Sequence, residues 1–454
     1  MENSEIINKV VKFTENIVNS GDFDETEISK ILNLSYRSDR NLNIYRGIIL
    51  VYYFYKFKKL PQNYFKNLAM DARFLKCVAL LNGNVLLPFE IKILFLNILT
   101  ISDNEAEYRD ILLGSFYGSL WSFMNDFRNF EIAVDYGIEI IKSAFILDKF
   151  NIKKKLKLKE KEAKIISLAG SGKKEIKLLN ISSMAAIITA AVGRKINENI
   201  IVEKTISRTT SSVTGSSDIF EFLGINLNMP IDEMARISSK AKLGVFDIDG
   251  IVPKLNNIYD GRLYNVQVFA GLVGGAAIVN PIDTSLINYG LTRGSTKLCL
   301  AILSKLYPNK NIVIFQGKDS TGKPVIDQFS TVSNTEIAQR INGKDIFYTI
   351  TPKEFGFDFK SLKYIETAKS SKENMKEFIK LLVGRGHKSF EQVVAMEVSL
   401  NLYGLGIIND LKIGANIALD VIHSGGGIKI IKDLVSFSKG NMQKFDSLLN
   451  TYLN

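Results

Sequence analysis

The sequence predicts an α/β protein whose first third is all-α, and three observations predict it. Up to about residue 150, apolar side chains recur at 3–4 spacing and glycines are few. At Asn151 the texture changes to a lysine-rich stretch. Beyond it, short β-branched runs alternate with helical patterns and glycine turns, the alternation of a strand–helix domain.

The elements follow in order. Ile6, Ile7, Val10, Val11, Phe13 and Ile17 form one apolar helical stripe. Asp24 or Thr26 suits the cap of a helix over 27–34, and 46–57 reads as a buried helix. Asn82-Gly83-Asn84 marks a turn. Further helices are expected at 89–99, 105–124 and 129–146. In the second part, strands are expected at 165–168, 200–204, 266–269, 312–315 and 345–350. Helical patterns lie between them at 184–192, 218–223, 295–306 and 334–341. The tail from 389 to 449 is helical again, with the turn Gly425-Gly426-Gly427 inside it.

Composition removes several function classes. Of 454 residues, 46% are hydrophobic and 23% charged, which excludes wholesale disorder. Cys77 and Cys299 are too few and too far apart for a disulfide framework or a cysteine zinc site. His387 and His423 are too few for histidine-rich metal chemistry. His423 reads as a helix C-terminal residue and His387 as part of a flexible cationic loop. Asp247 and Asp249, flanking Ile248 before Gly250, read as a turn. The apolar runs 48–55 and 266–282 are too short or too interrupted to span a bilayer, which needs about 20 apolar residues. The N-terminal MENSEIINKV carries no secretory apolar core, so a cytoplasmic location without membrane contact is expected.

The 58 Lys and Arg outnumber the 47 Asp and Glu, for a net charge of +11. Ten lysines and three glutamates between Lys153 and Lys177 carry +7 of that. The run 153–161 reads as a solvated linker face. Clustered lysines also suit a polyanion, which leaves nucleic-acid binding as a second reading.

Two stretches carry chemistry. Gly170-Ser171-Gly172 follows a strand candidate, with Lys173 and Lys174 at the turn. Asn180-Ile181-Ser182-Ser183 then opens a helix. A strand, a glycine turn and a helix N-terminus offer backbone N–H groups to an anion. The second stretch runs Lys204-Thr205-Ile206-Ser207-Arg208, Ser211-Ser212 and Gly215-Ser216-Ser217-Asp218. Its hydroxyls and two cations suit a phosphate, or a plain polar loop.

Taken together and in order, these stretches resemble the anthranilate phosphoribosyltransferase family, which shares its fold with the pyrimidine nucleoside phosphorylases. That family has Gly-Thr-Gly-Gly-Asp, Asn-Ile-Ser-Thr, Lys-His-Gly-Asn-Arg, Ser-Ser and Gly-Ser-Ala-Asp. This chain has GSGKK, NISS, KTISR, SS and GSSD. Asp327-Gln328, followed by a Ser- and Thr-rich turn, resembles the family's Asp-Glu metal segment, and Asn280-Pro281 its Asn-Pro. The resemblance runs from about Leu86 to the C-terminus.

It implies a small all-α domain (83–150) and a larger α/β domain with a central sheet flanked by helices (151–454). An extra helical segment (1–82) precedes them. It also implies a phosphoribosyl pyrophosphate site made of Gly170, Gly172, Asn180, Ser182, Ser183, Lys204, Arg208 and Ser216, to which Lys173 and Lys174 add positive charge at the turn. Mg2+ would be held by Asp327, Gln328 and Ser182, and the acceptor by Thr205, Ser207 and Arg262. Members commonly dimerise through the small helical domain, so a homodimer is expected.

The departures are specific. Lys173 and Lys174 stand where the family has Gly-Asp, Thr205-Ile206-Ser207 where it has His-Gly-Asn, and Gln328 where it has Glu. The first reading is therefore a transferase using phosphoribosyl pyrophosphate with an unidentified nitrogen acceptor other than anthranilate. The second is a non-catalytic paralogue that binds nucleic acid through a basic cleft.

Overall fold

The computed structural model describes residues 3–38, 42–61, 67–125, 127–160, 162–172, 176, 178–208, 213–259, 276–366 and 370–453. Lys173, Lys174, Ser211, Ser212, Arg262 and the strand expected at 266–269 lie outside the described residues. The chain divides into two compact units. The first holds Met1–Phe150 and Lys254–Val273; the second holds Asn151–Pro253 and Gly274–Asn454.

In the first unit the described elements are helical: α1 (Asn3–Ser20), α2 (Glu25–Ser38), α3 (Asn43–Phe57), α4 (Ala72–Leu81), α5 (Pro88–Leu99), α6 (Ala106–Asn125) and α7 (Phe130–Ala144). The 3–4 spacing places them well. Asp24 Oδ1 accepts the N–H of Glu27 at 2.7 Å, so of the two cap candidates the aspartate serves α2. The run from Ile48 to Tyr53 is buried core, as its apolarity requires.

Helices α3 and α6 cross at glycines. A Cβ on Gly47 would lie 2.0 Å from the carbonyl oxygen of Ile111. One on Gly114 would lie 1.9 Å from that of Ile44. The Ser115 hydroxyl donates to the Gly47 carbonyl at 3.0 Å across the same contact. The two backbones pack against each other with no side chain between them.

The second unit is built on an eight-stranded sheet: β1 (Lys164–Gly170), β2 (Ile200–Ile206), β3 (Leu243–Asp247), β4 (Leu286–Gly290), β5 (Asn311–Lys318), β6 (Pro324–Ile326), β7 (Thr335–Ile341) and β8 (Lys344–Ile350). The order is β3-β2-β1-β4-β5-β7-β8, with β6 paired to β5. Strands β1 to β5 run parallel, whereas β7 and β8 are antiparallel. Strands β1 and β2 are buried along almost their whole length, as in a parallel sheet covered on both faces, and β2 carries Glu203, Lys204 and Thr205 into that interior.

The helices of this unit follow in order: α8 (Ile181–Lys195), α9 (Ser216–Phe222), α10 (Ile231–Ala241) and α11 (Ile248–Ile251), then, past α12 (Pro253–Tyr259), α13 (Ala276–Val279), α14 (Thr296–Leu306), α15 (Ser371–Leu382), α16 (Lys388–Gly404), α17 (Leu411–His423), α18 (Gly427–Phe437) and α19 (Met442–Leu453). Helix α8 is buried on nearly every side because α16, α17 and α18 pack around it.

Three expectations are corrected. The helix expected at 334–341 is strand β7: Ile337 and Ile341 fit a helical period, but β5 and β8 supply ladder partners on both sides. Asn342 (φ +50°) and Gly343 (φ +77°) form the two-residue hairpin that joins β7 to β8. Asp247 is not part of a simple turn; it ends β3, and its carboxylate accepts the N–H of Asp249 at 3.2 Å where α11 begins. His387 is not in a free loop but caps α16, with Nδ1 accepting from the Ser389 N–H at 3.2 Å. Its ring stacks on Tyr364, with ring centroids 4.8 Å apart. His423 does end a helix, α17, and meets the Glu391 carboxylate at 3.1 Å.

Candidate active site

Strand order reverses at β1, whose neighbours are β2 on one side and β4 on the other. In open α/β sheets such a reversal leaves a crevice outside the carboxyl ends of the strands, where ligands bind. Gly170, the last residue of β1, lies beside Gly290, the last residue of β4. The glycine turn singled out by sequence is therefore at the switch point.

A web of hydrogen bonds holds the turn. The Ser171 N–H donates to the Gly290 carbonyl at 2.8 Å. Its hydroxyl accepts from the Thr292 N–H at 2.8 Å and donates to Thr292 Oγ1 at 3.0 Å. The Thr292 hydroxyl donates to the Gly172 carbonyl at 2.6 Å. Gly172 takes φ +62°, a left-handed conformation that glycine adopts cheaply, and its N–H donates to Asp327 Oδ2 at 2.8 Å.

Asp327 is 2% exposed and seated against glycines. A Cβ on Gly170 would lie 2.5 Å from its Oδ2, and one on Gly290 would lie 2.1 Å from its carbonyl oxygen. Gln328, next in the chain, is buried as well. The structure thus joins Gly170, Gly172 and Asp327 directly. Sequence reasoning passed over Ser171, Gly290 and Thr292, whose partners lie about 120 residues away in the chain.

The second stretch begins in β2. Lys204 is 3% exposed and pairs in register with Leu168, two residues before Gly170. Its Nζ donates to the Thr205 carbonyl at 3.2 Å. Thr205 and Ile206 continue the strand as buried residues. The Ser207 N–H donates to Ser216 Oγ at 3.0 Å, and the Ser217 N–H to the Ser207 carbonyl at 3.0 Å. These two bonds tie the end of β2 to the start of α9.

Arg208 turns onto Asp218, at 3.1 Å, and Glu221. Hydrogen bonding to Glu221 first, then Asp218, raises its pKa above the usual arginine range. Asn180 does not cap α8 with its side chain; its amide donates to the Thr214 carbonyl at 3.3 Å. The Thr214 hydroxyl donates in turn to Ser371 Oγ at 3.1 Å, at the start of α15. Ser182 is half-buried and Ser183 buried in the first turn of α8.

Beside Lys204 stands Glu203, a buried carboxyl that sequence reasoning did not single out. Its Oε1 accepts the Ser238 hydroxyl at 2.7 Å, while Oε2 packs against Gly244 with no hydrogen-bond partner. Burial pushes its pKa up from 4.5 to about 8. A raised carboxyl favours the folded state fully below pH 4.5, and that contribution is lost as pH climbs toward 8. Thermal unfolding should therefore show stability falling over this window by an order of magnitude of a few kcal/mol. In Glu203→Gln the fall should shrink, and an unchanged pH profile would refute the assignment.

The lysine run also holds an exception to the solvated-face reading. Lys155 Nζ donates to the carbonyls of Ile278 at 2.6 Å and Asn280 at 2.5 Å, and burial lowers its pKa to about 7. Asn280, expected from the Asn-Pro motif, donates to Ser167 Oγ at 3.0 Å and to the Glu203 carbonyl at 3.1 Å.

A family model for the glycosyl transferase family, a/b domain, matches residues 162–262 and 279–428, more than half of the chain. The chain belongs to this family. The matched segments contain the glycine turn, the Lys204–Ser216 stretch and Asp327, so family and site coincide.

Among curated proteins, it is similar to an anthranilate phosphoribosyltransferase of Aeropyrum pernix, with 26% identity over 81% of this chain and 98% of that one. An enzyme of the same name from Bacillus velezensis is 25% identical over 58% of this chain and 74% of its own length. Among solved structures, the Saccharomyces cerevisiae anthranilate phosphoribosyltransferase in complex with PRPP and Mg aligns with a TM-score of 0.62. It is 16% identical, over 81% of this chain and 98% of that one. The Thermus thermophilus structure aligns at 0.57, with 19% identity over 80% and 99%. These likenesses establish the fold: the expected α/β architecture with a helix-flanked central sheet is borne out, and so is the family resemblance. Among the described residues no helix is long and apolar enough to cross a membrane.

Proposed function

We propose that this member of the glycosyl transferase family moves a phosphoribosyl group from phosphoribosyl pyrophosphate to a nitrogen acceptor other than anthranilate, releasing pyrophosphate. The observation that carries the reading is the glycine turn at the β1/β4 switch point, with a carboxylate at its edge and Lys204 on the neighbouring strand. The bond from the anomeric carbon to the pyrophosphate oxygen breaks, a carbon–nitrogen bond forms, and the acceptor nitrogen gives up a proton. Such a displacement needs a cradle for the leaving group and a positioned nucleophile more than covalent help.

In this reading Gly170, Gly172, Lys173, Lys174, Asn180, Ser182, Ser183, Lys204 and Ser216 hold the phosphates and ribose. Arg208, already paired with Asp218 and Glu221, acts there by keeping the Ser207–Ser216 connection in shape. The acceptor role in this reading falls to Ser207; with Thr205 and Ile206 buried in β2, half-buried Ser207 is the accessible remnant of the family's amine-pocket triplet. That loss supports an acceptor other than anthranilate.

Magnesium fits the donor set in its low-carboxylate mode. Among the described residues no group of three or more His, Cys, Asp or Glu could cage a metal. Mg2+ typically takes one or two carboxylates together with substrate phosphates and waters. Asp327 is the carboxylate at the turn, with Ser182 and Gln328 as neutral oxygen donors. The cation would neutralise charge on the leaving pyrophosphate.

A homodimer through the helical unit belongs to the same proposal. Exposed Leu87, Phe89 and Ile93 at the start of α5 support it. Nucleic-acid binding through a basic cleft has no comparable observation in its favour.

The test is release of pyrophosphate from the donor, with Mg2+, across a panel of amines that includes anthranilate. Release with some other amine and none with anthranilate is the expected result. Turnover of anthranilate would overturn the acceptor assignment, and no release with any amine would count against the transfer itself.

A further inference from the structure

The Gly172 N–H is a backbone donor that a phosphate at this turn would use, and a carboxylate of the chain already holds it. The contact is built in. Asp327 is seated where only glycine fits at 170 and 290, and Thr292 closes the other side of the turn by donating to the Gly172 carbonyl. Gly172 is therefore gripped at its N–H by one strand connection and at its C=O by another.

We infer that Asp327 and Thr292 are positioning residues forming a clasp on the glycine turn, and that an incoming phosphate must displace the Asp327 carboxylate from the Gly172 N–H. The inference rests on the reading of this turn as the donor phosphate site and deepens it. An anionic acceptor on a backbone N–H makes a stronger hydrogen bond than a neutral one. In the donor-free protein it also gives this half-buried N–H a partner. The clasp accounts for a feature that phosphate binding alone does not explain. Glycine is required at 170 by the protein's own carboxylate, whatever ligand approaches the turn.

The test uses the full chain labelled with nitrogen-15 glycine. Amide exchange of Gly172 is slow in the donor-free protein if the clasp exists. It accelerates about tenfold or more in Asp327→Ala. It accelerates less in Asp327→Asn, whose neutral amide oxygen still accepts, though more weakly than the carboxylate. Thr292→Val, which keeps the shape and loses the hydroxyl, is the second variant and speeds exchange by a few-fold. Equal Gly172 exchange in all four proteins overturns the clasp.

Displacement is read separately, by titrating inorganic pyrophosphate in magnesium-free buffer. Asp327→Ala binds about tenfold tighter than the parent, and Asp327→Asn gains less. Equal gains in the two variants would mean that charge alone is responsible, and weaker binding in Asp327→Ala would contradict displacement outright. If pyrophosphate binds none of the proteins, with or without magnesium, the donor-site reading falls and displacement with it. The exchange rates still decide the clasp on their own, so the two failures are distinguishable.

Discussion

Lys204→Ala is expected to weaken binding of phosphoribosyl pyrophosphate on the order of a hundredfold, with the fold intact. The lysine is 3% exposed, at the carboxyl end of a central strand, and pairs in register with the strand that leads into the glycine turn. An ammonium in such a place keeps little water, so its interaction with a phosphate is screened far less than at the surface. Removing one partner of a desolvated charge pair costs about 2–5 kcal/mol. Lys204→Met, which keeps most of the buried aliphatic stem and removes the charge, is the companion variant that separates lost packing from lost charge. Circular dichroism checks the fold of both variants while calorimetry records the loss of donor binding. A variant that binds the donor as tightly as the parent would remove Lys204 from the site.

The second large effect lies in the helical unit. Gly114→Ala should destabilise it by about 3 kcal/mol or more, in the upper range for overpacking a close contact. The added methyl would sit 1.9 Å from the Ile44 carbonyl, a backbone atom that cannot step aside as a side chain would. Helices α3 and α6 would have to separate by more than 1 Å, opening the contact that Ser115 also bridges. Urea titration followed by helical ellipticity should show a transition at clearly lower denaturant than in the parent. Gly83→Ala, at a turn where nothing lies within 4 Å of the new methyl, makes a comparison that tests backbone strain without crowding. If Gly114→Ala unfolds at the parent midpoint, the close crossing is not a feature of the folded protein.

What the sequence made legible follows from where each element finds its partners. Strands β1 and β2 carry the β-branched pairs Ile165-Ile166 and Ile200-Ile201, so local composition reveals them. Strand β4 stayed hidden because LINYG carries Asn288 and Tyr289. Asn288 is tolerated in the core because its amide donates to Asn401 Oδ1, and the Asn401 amide donates to Thr189 Oγ1 at 2.9 Å. Those partners lie more than a hundred residues away. In strand β7 the helical spacing of Ile337 and Ile341 masks a strand whose hairpin signal, Asn342-Gly343, follows directly.

The site divides the same way. Gly170, Gly172, Lys204 and Asp327 were named from ordered motifs, and the fold does join the glycines to Asp327 across 155 residues. The Ser171–Thr292 contacts were not legible because nothing near either residue announces the pairing. The role of Arg208 was legible only by residue type. Asp218 and Glu221, 10 and 13 residues further on, take its charge, which only the geometry of α9 reveals.

The central claim is that the turn at the β1/β4 switch point binds a phosphorylated ribose donor. Calorimetric titration of the purified protein with phosphoribosyl pyrophosphate, with and without magnesium, tests it most directly. The predicted result is one donor per chain, bound more tightly with magnesium and lost on Lys204→Ala. Absence of binding at millimolar donor in the presence of magnesium would contradict it.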